Sequence, residues 1–541
     1  MVVAILFKRP PFGILKILQF STSCARKSHT IINDNIHGTV AISPICVKII
    51  DTPQFQRLRH VKQLGYCDYV YPGANHSRFE HSIGVCYLAG QMARHLQGKI
   101  EKDIELFSAK KDAEKDQTIR NDYAQLEEEL KNIKMKEEHI TCIEIAGLCH
   151  DIGHGPFSHL FDQMFYKDDT IIKDGGIDPA WKHETATIQM FQHMINVNDS
   201  LKRDLKQTLK VNDDDLTKWV DFIKDLIIGK RTDLSADKPH YMFEIVANKI
   251  CEIDVDKMDY FARDCDGLGI KSDFDHRRYI QNSRVMMVDD TEGRRSAVCI
   301  RDKAVHDLYE LFHTRNNLFR RALFHKVSKG IEYMINEALV AANDVLLLKN
   351  QNGEPTKMSK AWGDMYVYQQ LTDKIIDHIV LLDDPKLEKS KDLINRIHNR
   401  DLYKSVYESP PKRVDSFDIK QLADDIITED KNMSEEEKIK KGDKKEKKDK
   451  SIKKDDFLIK KFTYSYGKQS ENPIKNVYFF QKYSDKSFKH DDPTKVSNFV
   501  PHDCFQETII RVYSKHTKKE KDGRQRLQKV VKSCAKSWFK N

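Results

Sequence analysis

The chain has no Cys-x-x-Cys pair, no phosphate-binding P-loop, no internal repeat and no run of about 18 apolar residues. Without such a run no transmembrane helix and no membrane partner are expected. Eleven cysteines are scattered over 541 residues. Their odd number and irregular spacing read as free thiols in a reducing compartment, not as a disulfide framework. Net charge is also scarce. The 91 basic residues exceed the 83 acidic ones by only +8, so polyanion affinity is permitted but not demanded. No aromatic-basic nucleic-acid motif is present, which keeps nucleic acid a weak candidate partner. Residues 1–33 lack Asp and Glu altogether, yet hold Lys8, Arg9, Lys16, Arg26 and Lys27 between apolar residues. That pattern resembles an organelle-targeting presequence; a disordered leader is the other reading.

What is present suits a large helical protein. Hydrophobic residues make up 39% and charged residues 32%. From Arg78 to Leu96 the apolar residues Phe79, Ile83, Val85, Tyr87, Leu88, Met92 and Leu96 keep helical spacing. Residues 99–138 are rich in Glu, Lys, Asp and Gln and read as a solvated, charged helix pair inserted between two core helices. Residues 140–165, 241–265 and 304–346 read as buried helices. Lys, Asp and Glu fill 430–456, which reads as a flexible loop. Beyond it, Phe457–Tyr466, Asn476–Gln481 and Thr508–Tyr513 carry aromatic and β-branched residues and read as strands of a small terminal lobe. The expected architecture is mainly α. It comprises a leader over 1–28, a catalytic helical core over 29–400, and a smaller mixed α/β lobe over 401–541.

The run His150-Asp151-Ile152-Gly153-His154-Gly155-Pro156-Phe157-Ser158-His159 holds three further functional groups beside its first histidine. It follows the apolar stretch Ile143–Cys149, and its Gly-His-Gly-Pro turn stops the helix. A His-Asp pair alone says little, because others occur at 306, 490 and 502. Another histidine lies in Arg78-Phe79-Glu80-His81-Ser82, and a carboxylate in Asp254-Val255-Asp256-Lys257-Met258-Asp259. His81, His150, Asp151 and Asp256 would give a metal site of two imidazoles and two carboxylates. That ligand mixture suits Fe, Mn or Zn and leaves positions open for water.

Those four elements, in that order, resemble the HD-domain phosphohydrolase superfamily. Longer stretches are more specific: Asp51-Thr52-Pro53-Gln54-Phe55-Gln56-Arg57-Leu58-Arg59, Asp259-Tyr260-Phe261-Ala262-Arg263-Asp264 and Phe312-His313-Thr314-Arg315-Asn316. They resemble the branch of sterile-alpha-motif and HD-domain dNTP triphosphohydrolases, here expected without the sterile-alpha-motif domain. The resemblance implies hydrolysis of a dNTP to a deoxynucleoside and inorganic triphosphate, controlling dNTP pools, by attack of metal-activated water on the α-phosphorus. It implies a proton donor for the departing 5′ oxygen. His159 is placed for that role with Asp162 to orient it, and His183 matches another catalytic histidine. Arg78, His154, Lys257 and Arg315 match phosphate contacts, with Mg²⁺ expected to accompany the triphosphate. Gln63, Leu64, Tyr260 and Asp264 match the deoxyribose contacts, where the Tyr260 ring can occupy the space of a 2′-hydroxyl. Phe319, Leu323 and Phe324 stand where the family has His, Tyr and Gln, which predicts altered or looser base preference.

The same resemblance implies activation by GTP and dNTPs that bridge the subunits of a homotetramer, a dimer being the inactive form. Asp51, Gln56 and Arg59 match the guanine-reading site. Asn33, Val70, Arg278, Arg301, Lys303, His325, Lys326 and Lys515 match the adjoining activator site. Thr30 replaces an expected lysine there, so weaker or changed activator affinity is expected. The compartment implied is nucleus or cytosol, with the mitochondrion kept open by the acid-free start. Two other functions fit the same residues: an HD nucleotidase or phosphodiesterase with another phosphate substrate, and a silent, nucleic-acid-binding HD protein.

Overall fold

A computed structural model describes residues 29–291, 293–413, 417–441, 451–490, 496 and 503–538. The expected leader over 1–28 lies outside the described residues. The fold is mainly α, with small sheets at its margins. No described helix is long and apolar enough to cross a membrane. The ten described cysteines are free, and all but Cys504 are buried.

The core is organised by the helix Arg78–Ala113. Ser77 starts it with a capping box: its backbone N–H donates to Glu80 Oε1 at 2.8 Å, and its hydroxyl accepts from Phe79 N–H. The start is therefore fixed, and His81 falls in the first turn. The helix Glu137–Cys149 packs along it, with every residue from Cys142 to Cys149 buried. Gly147 makes that approach feasible, because a Cβ there would lie 2.9 Å from the Ala89 side chain. A third helix, Val255–Leu268, starts at Asp254, whose Oδ1 accepts from Lys257 N–H at 3.1 Å. It carries Asp256 and Asp259 toward His81.

Several expected boundaries move. The Arg78 helix does not end near Leu96 but runs on to Ala113, and Gln117–Asn132 folds back along it. The charged insertion is thus the far half of a core helix plus one return helix. It is not wholly solvated, since Ile100, Phe107, Leu130 and Met135 are buried. The stretch 140–165 is one helix to Cys149, then a turn, then His159–Gln163. Within 241–265 only the part from Val255 is α-helical. The helix expected over 304–346 is broken by a π-turn at Phe319–Leu323. Part of the expected Lys-rich loop is helix instead, because Ile419–Lys441 continues through 430–441; residues 442–450 lie outside the described residues.

All three expected strand segments are strands, but they serve two sheets. Phe457–Ser465 and Lys404–Glu408 flank Gln506–Ser514 in an antiparallel sheet. Tyr478–Phe480 instead pairs in parallel with Gly293–Arg301, in a four-stranded sheet completed by Ser283–Asp290 and Ser487–Lys489. A secondary core of Val406, Leu422, Ile426, Ile510, Leu527 and Val531 ties the first sheet to the helices Ile419–Lys441 and Lys521–Trp538.

One glycine shows how tightly the helices meet. A Cβ at Gly84 would lie 1.9 Å from Asp259 Oδ1 and 2.5 Å from an Arg263 guanidinium nitrogen. Neither group can retreat without losing a buried ion pair. Gly84→Ala is therefore expected to destabilise the fold by about 1–3 kcal/mol, measured by urea denaturation. An unchanged denaturation midpoint would contradict this packing.

Candidate active site

His81, from the first turn of the long helix, meets His150 at the end of Glu137–Cys149. Their Nε2 atoms are 3.1 Å apart. His81 Nε2 lies 3.2 Å from Asp256 Oδ1 and 3.4 Å from Asp151 Oδ2. His150 Nε2 lies 3.3 Å from each of the same oxygens. Ligands at about 2.1 Å from one ion, at angles between tetrahedral and octahedral, are separated by roughly 3.0–3.4 Å. All five separations fall in that interval. The four residues predicted from sequence are thus brought together, and their donor set suits a divalent metal.

The far side of each ring is fixed. His81 Nδ1 donates to Asp259 Oδ2 at 2.7 Å, and His150 Nδ1 to the Gly147 carbonyl at 2.8 Å. Both rings therefore turn Nε2 inward, the arrangement in which an outer carboxylate or carbonyl sets the tautomer of a metal-binding histidine. Asp259 is fully buried. It also accepts from His37 Nε2 at 2.7 Å and from two Arg263 nitrogens at 2.9 Å. Arg263 reaches on to Asp34 at 2.9 Å. The centre has a strong demand for positive charge. Burial depresses the His150 pKa, but Asp151 and Asp256 outweigh it and push it up to about 9. Burial opposes ionisation of Asp151, yet Arg78 and the neighbouring histidines hold its pKa well below the usual carboxylate range.

A second cluster lies beside the first. His183 opens the helix His183–Asn196, and its Nδ1 donates to Asp162 Oδ2 at 2.7 Å. Burial lowers the His183 pKa, but Asp162 more than compensates and raises it above the ordinary value. His159 is half exposed, and its Nδ1 stands 3.7 Å from Asp162 Oδ1. Asp162 thus orients His183 directly, where the sequence reading paired it with His159. The sequence places Asp162 three residues after His159 on one helix face, but it gives no hint that His183, twenty-one residues away, folds back onto the same carboxylate. His154 stacks on His183 with ring centroids 4.0 Å apart. It is 1% exposed and neither ring nitrogen has a hydrogen-bond partner among the described residues, although Nε2 is 3.3 Å from Asp151 Oδ1. Burial, Arg78 and His183 hold its pKa well below 6.5, so the ring is neutral with a buried N–H to donate.

One cavity of about 490 Å³ opens onto both clusters. Its walls include every predicted substrate residue: Gln63, Leu64, Arg78, His154, Lys257, Tyr260, Asp264 and Arg315. Asp151, Asp256, His159 and His183 line it too. Arg78 is hydrogen-bonded to Asp151 and, through Nε, to Ser158 Oγ at 2.9 Å. Lys257, partly buried, stands between Asp254 at 3.2 Å and Glu252 at 3.3 Å. Asp264 is held by His76 at 2.7 Å. Arg315 turns its guanidinium over the Phe319 ring at 4.4 Å and donates to the Ser465 carbonyl. At the other end Phe319, Leu323 and Phe324 form an apolar wall, with Lys329 and Glu332 paired beside it at 2.5 Å. Volume and lining are those of a small-molecule site, with one charged end and one apolar end.

None of the predicted activator residues lines this cavity. Asp51 and Arg59 are exposed, and Gln56 accepts from Arg59 Nε at 2.8 Å and donates to the Ile50 carbonyl at 2.8 Å. Asn33, Arg278, Lys303 and Lys326 are exposed, while Val70, Arg301, His325 and Lys515 are half-buried. Arg278 pairs with Asp307 at 2.7 Å and Lys515 with Glu337 at 2.6 Å.

Sequence reasoning missed the supporting residues: Asp259, His37, Arg263, His76, Glu252, Lys329 and Glu332. Asp259 and Arg263 could have been found, since they follow Asp256 at helical spacing and pair at i, i+4. His37 could not; it comes from the hairpin of Thr30–Asp34 and Gly38–Ile42, over two hundred residues away.

A paired His/Asp metal centre opening on a cation-lined cavity defines a metal-dependent phosphohydrolase site of the HD type. The HD-domain family model accordingly matches residues 78–264. The chain is 37% identical over 522 residues to the deoxynucleoside triphosphate triphosphohydrolase SAMHD1 of Gallus gallus, covering 94% of this chain and 74% of that protein. It is 37% identical over 495 residues to the Homo sapiens protein of the same name, covering 90% of this chain and 70% of the relative. A SAMHD1 homolog of Dictyostelium discoideum is 30% identical over 512 residues, with 94% and 82% covered. The chain belongs to the SAMHD1 family of deoxynucleoside triphosphate triphosphohydrolases.

The outer carboxylate gives a prediction about the metal. Asp259→Asn keeps the shape but weakens the grip on His81. It should lower metal affinity by about 10–100-fold, measured as metal content after dialysis against a graded chelator. His150→Ala should lose the ion outright. Equal retention in all three proteins would contradict the assigned ligand set.

Proposed function

We propose that this chain hydrolyses dNTPs to deoxynucleoside and inorganic triphosphate. The observation that carries this reading is the single cavity joining the His/Asp centre, the three cations Arg78, Lys257 and Arg315, the neutral His154, and the residues Gln63, Leu64, Tyr260 and Asp264 expected to meet the deoxyribose. The family supports it further. His81, His150, Asp151 and Asp256 would hold a divalent ion, which would supply the Lewis-acid chemistry that activates water. Fe, Zn or Mn suits that donor set, and Mg²⁺ accompanies the triphosphate.

The protein's own groups do the rest. Arg78, Lys257 and Arg315 offset phosphate charge, and His154 donates its unpartnered N–H to a phosphoryl oxygen. His183 is the better-placed general acid: Asp162 holds Nδ1, leaving Nε2 to give a proton to the departing 5′ oxygen. His159, half exposed at the rim, serves the phosphates instead. Asp264, fixed by His76, accepts the proton of the 3′-hydroxyl, and the amide of Gln63 on the same cavity wall donates to that hydroxyl's oxygen. The Tyr260 ring fills the space beside the sugar. An apolar wall of Phe319, Leu323 and Phe324 offers surface to a base but no hydrogen-bonding code, so discrimination among bases is loose.

Activation by GTP and dNTPs in a homotetramer is part of the same reading. It is supported by the pairing of Arg59 with Gln56 and by the exposure of Asp51 and Arg59, all outside the catalytic cavity. Thr30, with no cationic side chain, weakens the adjoining phosphate site.

The test is incubation of the purified protein with each dNTP, with and without GTP, reading triphosphate and nucleoside. All four dNTPs should be cleaved at rates within about tenfold of one another, GTP should stimulate, and His150→Ala should abolish turnover. Release of monophosphate and pyrophosphate, or turnover that survives in His150→Ala, would overturn the reading.

The acid assignment has its own signature. A general acid works protonated, so kcat should fall as pH rises through the raised pKa of His183. Asp162→Asn removes the charge that raises it, and should move that alkaline limb to lower pH as kcat drops. Loss of the alkaline limb with a large fall in kcat in His159→Gln, while His183→Gln keeps both, would assign the acid to His159.

A further inference from the structure

The turn that carries His154 is held from behind by three side chains that never reach the cavity. Arg57 donates from one nitrogen to the carbonyls of His154 at 2.8 Å and Ile152 at 3.2 Å, and from the other to the Leu371 carbonyl at 2.5 Å. Tyr368 donates its hydroxyl to the Gly153 carbonyl at 2.8 Å. Asp373 accepts from Phe157 N–H at 2.6 Å and from Lys62 N–H at 2.9 Å. Arg57 is 6% exposed and Tyr368 fully buried, and none of the three lines the cavity. Three consecutive carbonyls and one amide of the catalytic turn are thus satisfied by side chains from outside the HD region.

The turn needs such a hold. Phe157 and Ser158 both have positive φ, 57° and 56°, a strained conformation for residues with side chains. Gly153 allows no substitute, since a Cβ there would lie 2.1 Å from Thr187 N. The strained segment aims the two sides of the site. Ser158 Oγ accepts from Arg78 Nε at 2.9 Å and donates to the Lys62 carbonyl at 2.7 Å, while the His154 ring is stacked against His183. Strained backbone persists only where its surroundings over-determine it.

We propose that Arg57, Tyr368 and Asp373 are positioning residues for hydrolysis, a latch that fixes His154 and Arg78 against the phosphates through the backbone of residues 152–158. The inference rests on the dNTP-hydrolase reading for its kinetic readout. A latch acts on geometry in the transition state, so it should be felt in kcat and not in ground-state binding.

The experiment uses Tyr368→Phe and Asp373→Asn, which keep shape, their double variant, and Arg57→Lys, which keeps charge but loses the planar fork. The readouts are kcat and KM for dGTP, affinity for a non-hydrolysable dGTP analogue, and metal content. Each isosteric single variant should lose about 3–10-fold in kcat, the worth of one hydrogen bond. KM, analogue affinity and metal content should stay within about twofold. Because both groups hold one turn, the double variant should lose less than the product of the two single losses. Arg57→Lys should lose more than either single variant; if it does not fold, the isosteric pair still decides. Unchanged kcat in both single variants, or parallel losses of kcat, analogue affinity and metal, would overturn the latch. An unsubstituted protein that releases no triphosphate would strike the hydrolase reading, whereas an active one matched by its variants strikes the latch alone.

Discussion

Asp259 is the point on which the site depends. It is a fully buried carboxylate shared by Arg263, His37 and His81. A charge so placed costs several kcal/mol unless paired, and removing one partner of a buried pair costs about 3–5 kcal/mol. The fold meets that demand by bringing three remote segments together: the first hairpin with His37 and Asp34, the long helix with His81, and the helix Val255–Leu268 with Asp259 and Arg263. Gly84 clears the space for them. The same network sets the tautomer of His81, so one electrostatic constraint links the stability of the core to the geometry of the metal centre.

From that anchor the site is built as a gradient. The centre concentrates negative charge from Asp151 and Asp256, which calls for a cation. Around it stand Arg78, Lys257 and Arg315, each already partnered by protein oxygens. Those partners keep the side chains in place before a phosphate arrives, which is the preorganisation that transition-state stabilisation needs. Farther out the walls become apolar. Between the charged centre and His183 lies the strained turn 152–158, and the ring nitrogens of His154 on it have no hydrogen-bond partner among the described residues. A buried donor left unpaired costs about 1–3 kcal/mol, and the ligand that relieves it gains that much in affinity.

Much of this was legible in the sequence, because motif spacing is local. The metal ligands could be read because His150 and Asp151 close an apolar helix while His81 and Asp256 each sit in the first turn of another. The residues expected to meet phosphate and sugar followed from resemblance, and one cavity gathers them. What the sequence hides is pairing across distance. Asp162 was assigned to its neighbour His159, yet the fold returns His183 to it. Arg57 read as one letter of a motif, yet it spans to the turn ninety-five residues on and to Leu371. The charged insertion and the Lys-rich stretch misled for another reason. Composition reports solvation of a face, and a helix such as Arg78–Ala113 can carry a charged face while burying Ile100 and Phe107. Likewise Tyr478–Phe480 reads as a strand from its residues, but nothing local says which sheet it joins.

The central claim is that the α-phosphorus is attacked and the 5′ oxygen leaves with the nucleoside. Turnover of dGTP in ¹⁸O-labelled water tests it most directly. The account predicts one labelled oxygen in the inorganic triphosphate and none in the deoxynucleoside. Label in the nucleoside, or in an inorganic phosphate or pyrophosphate product, would contradict it.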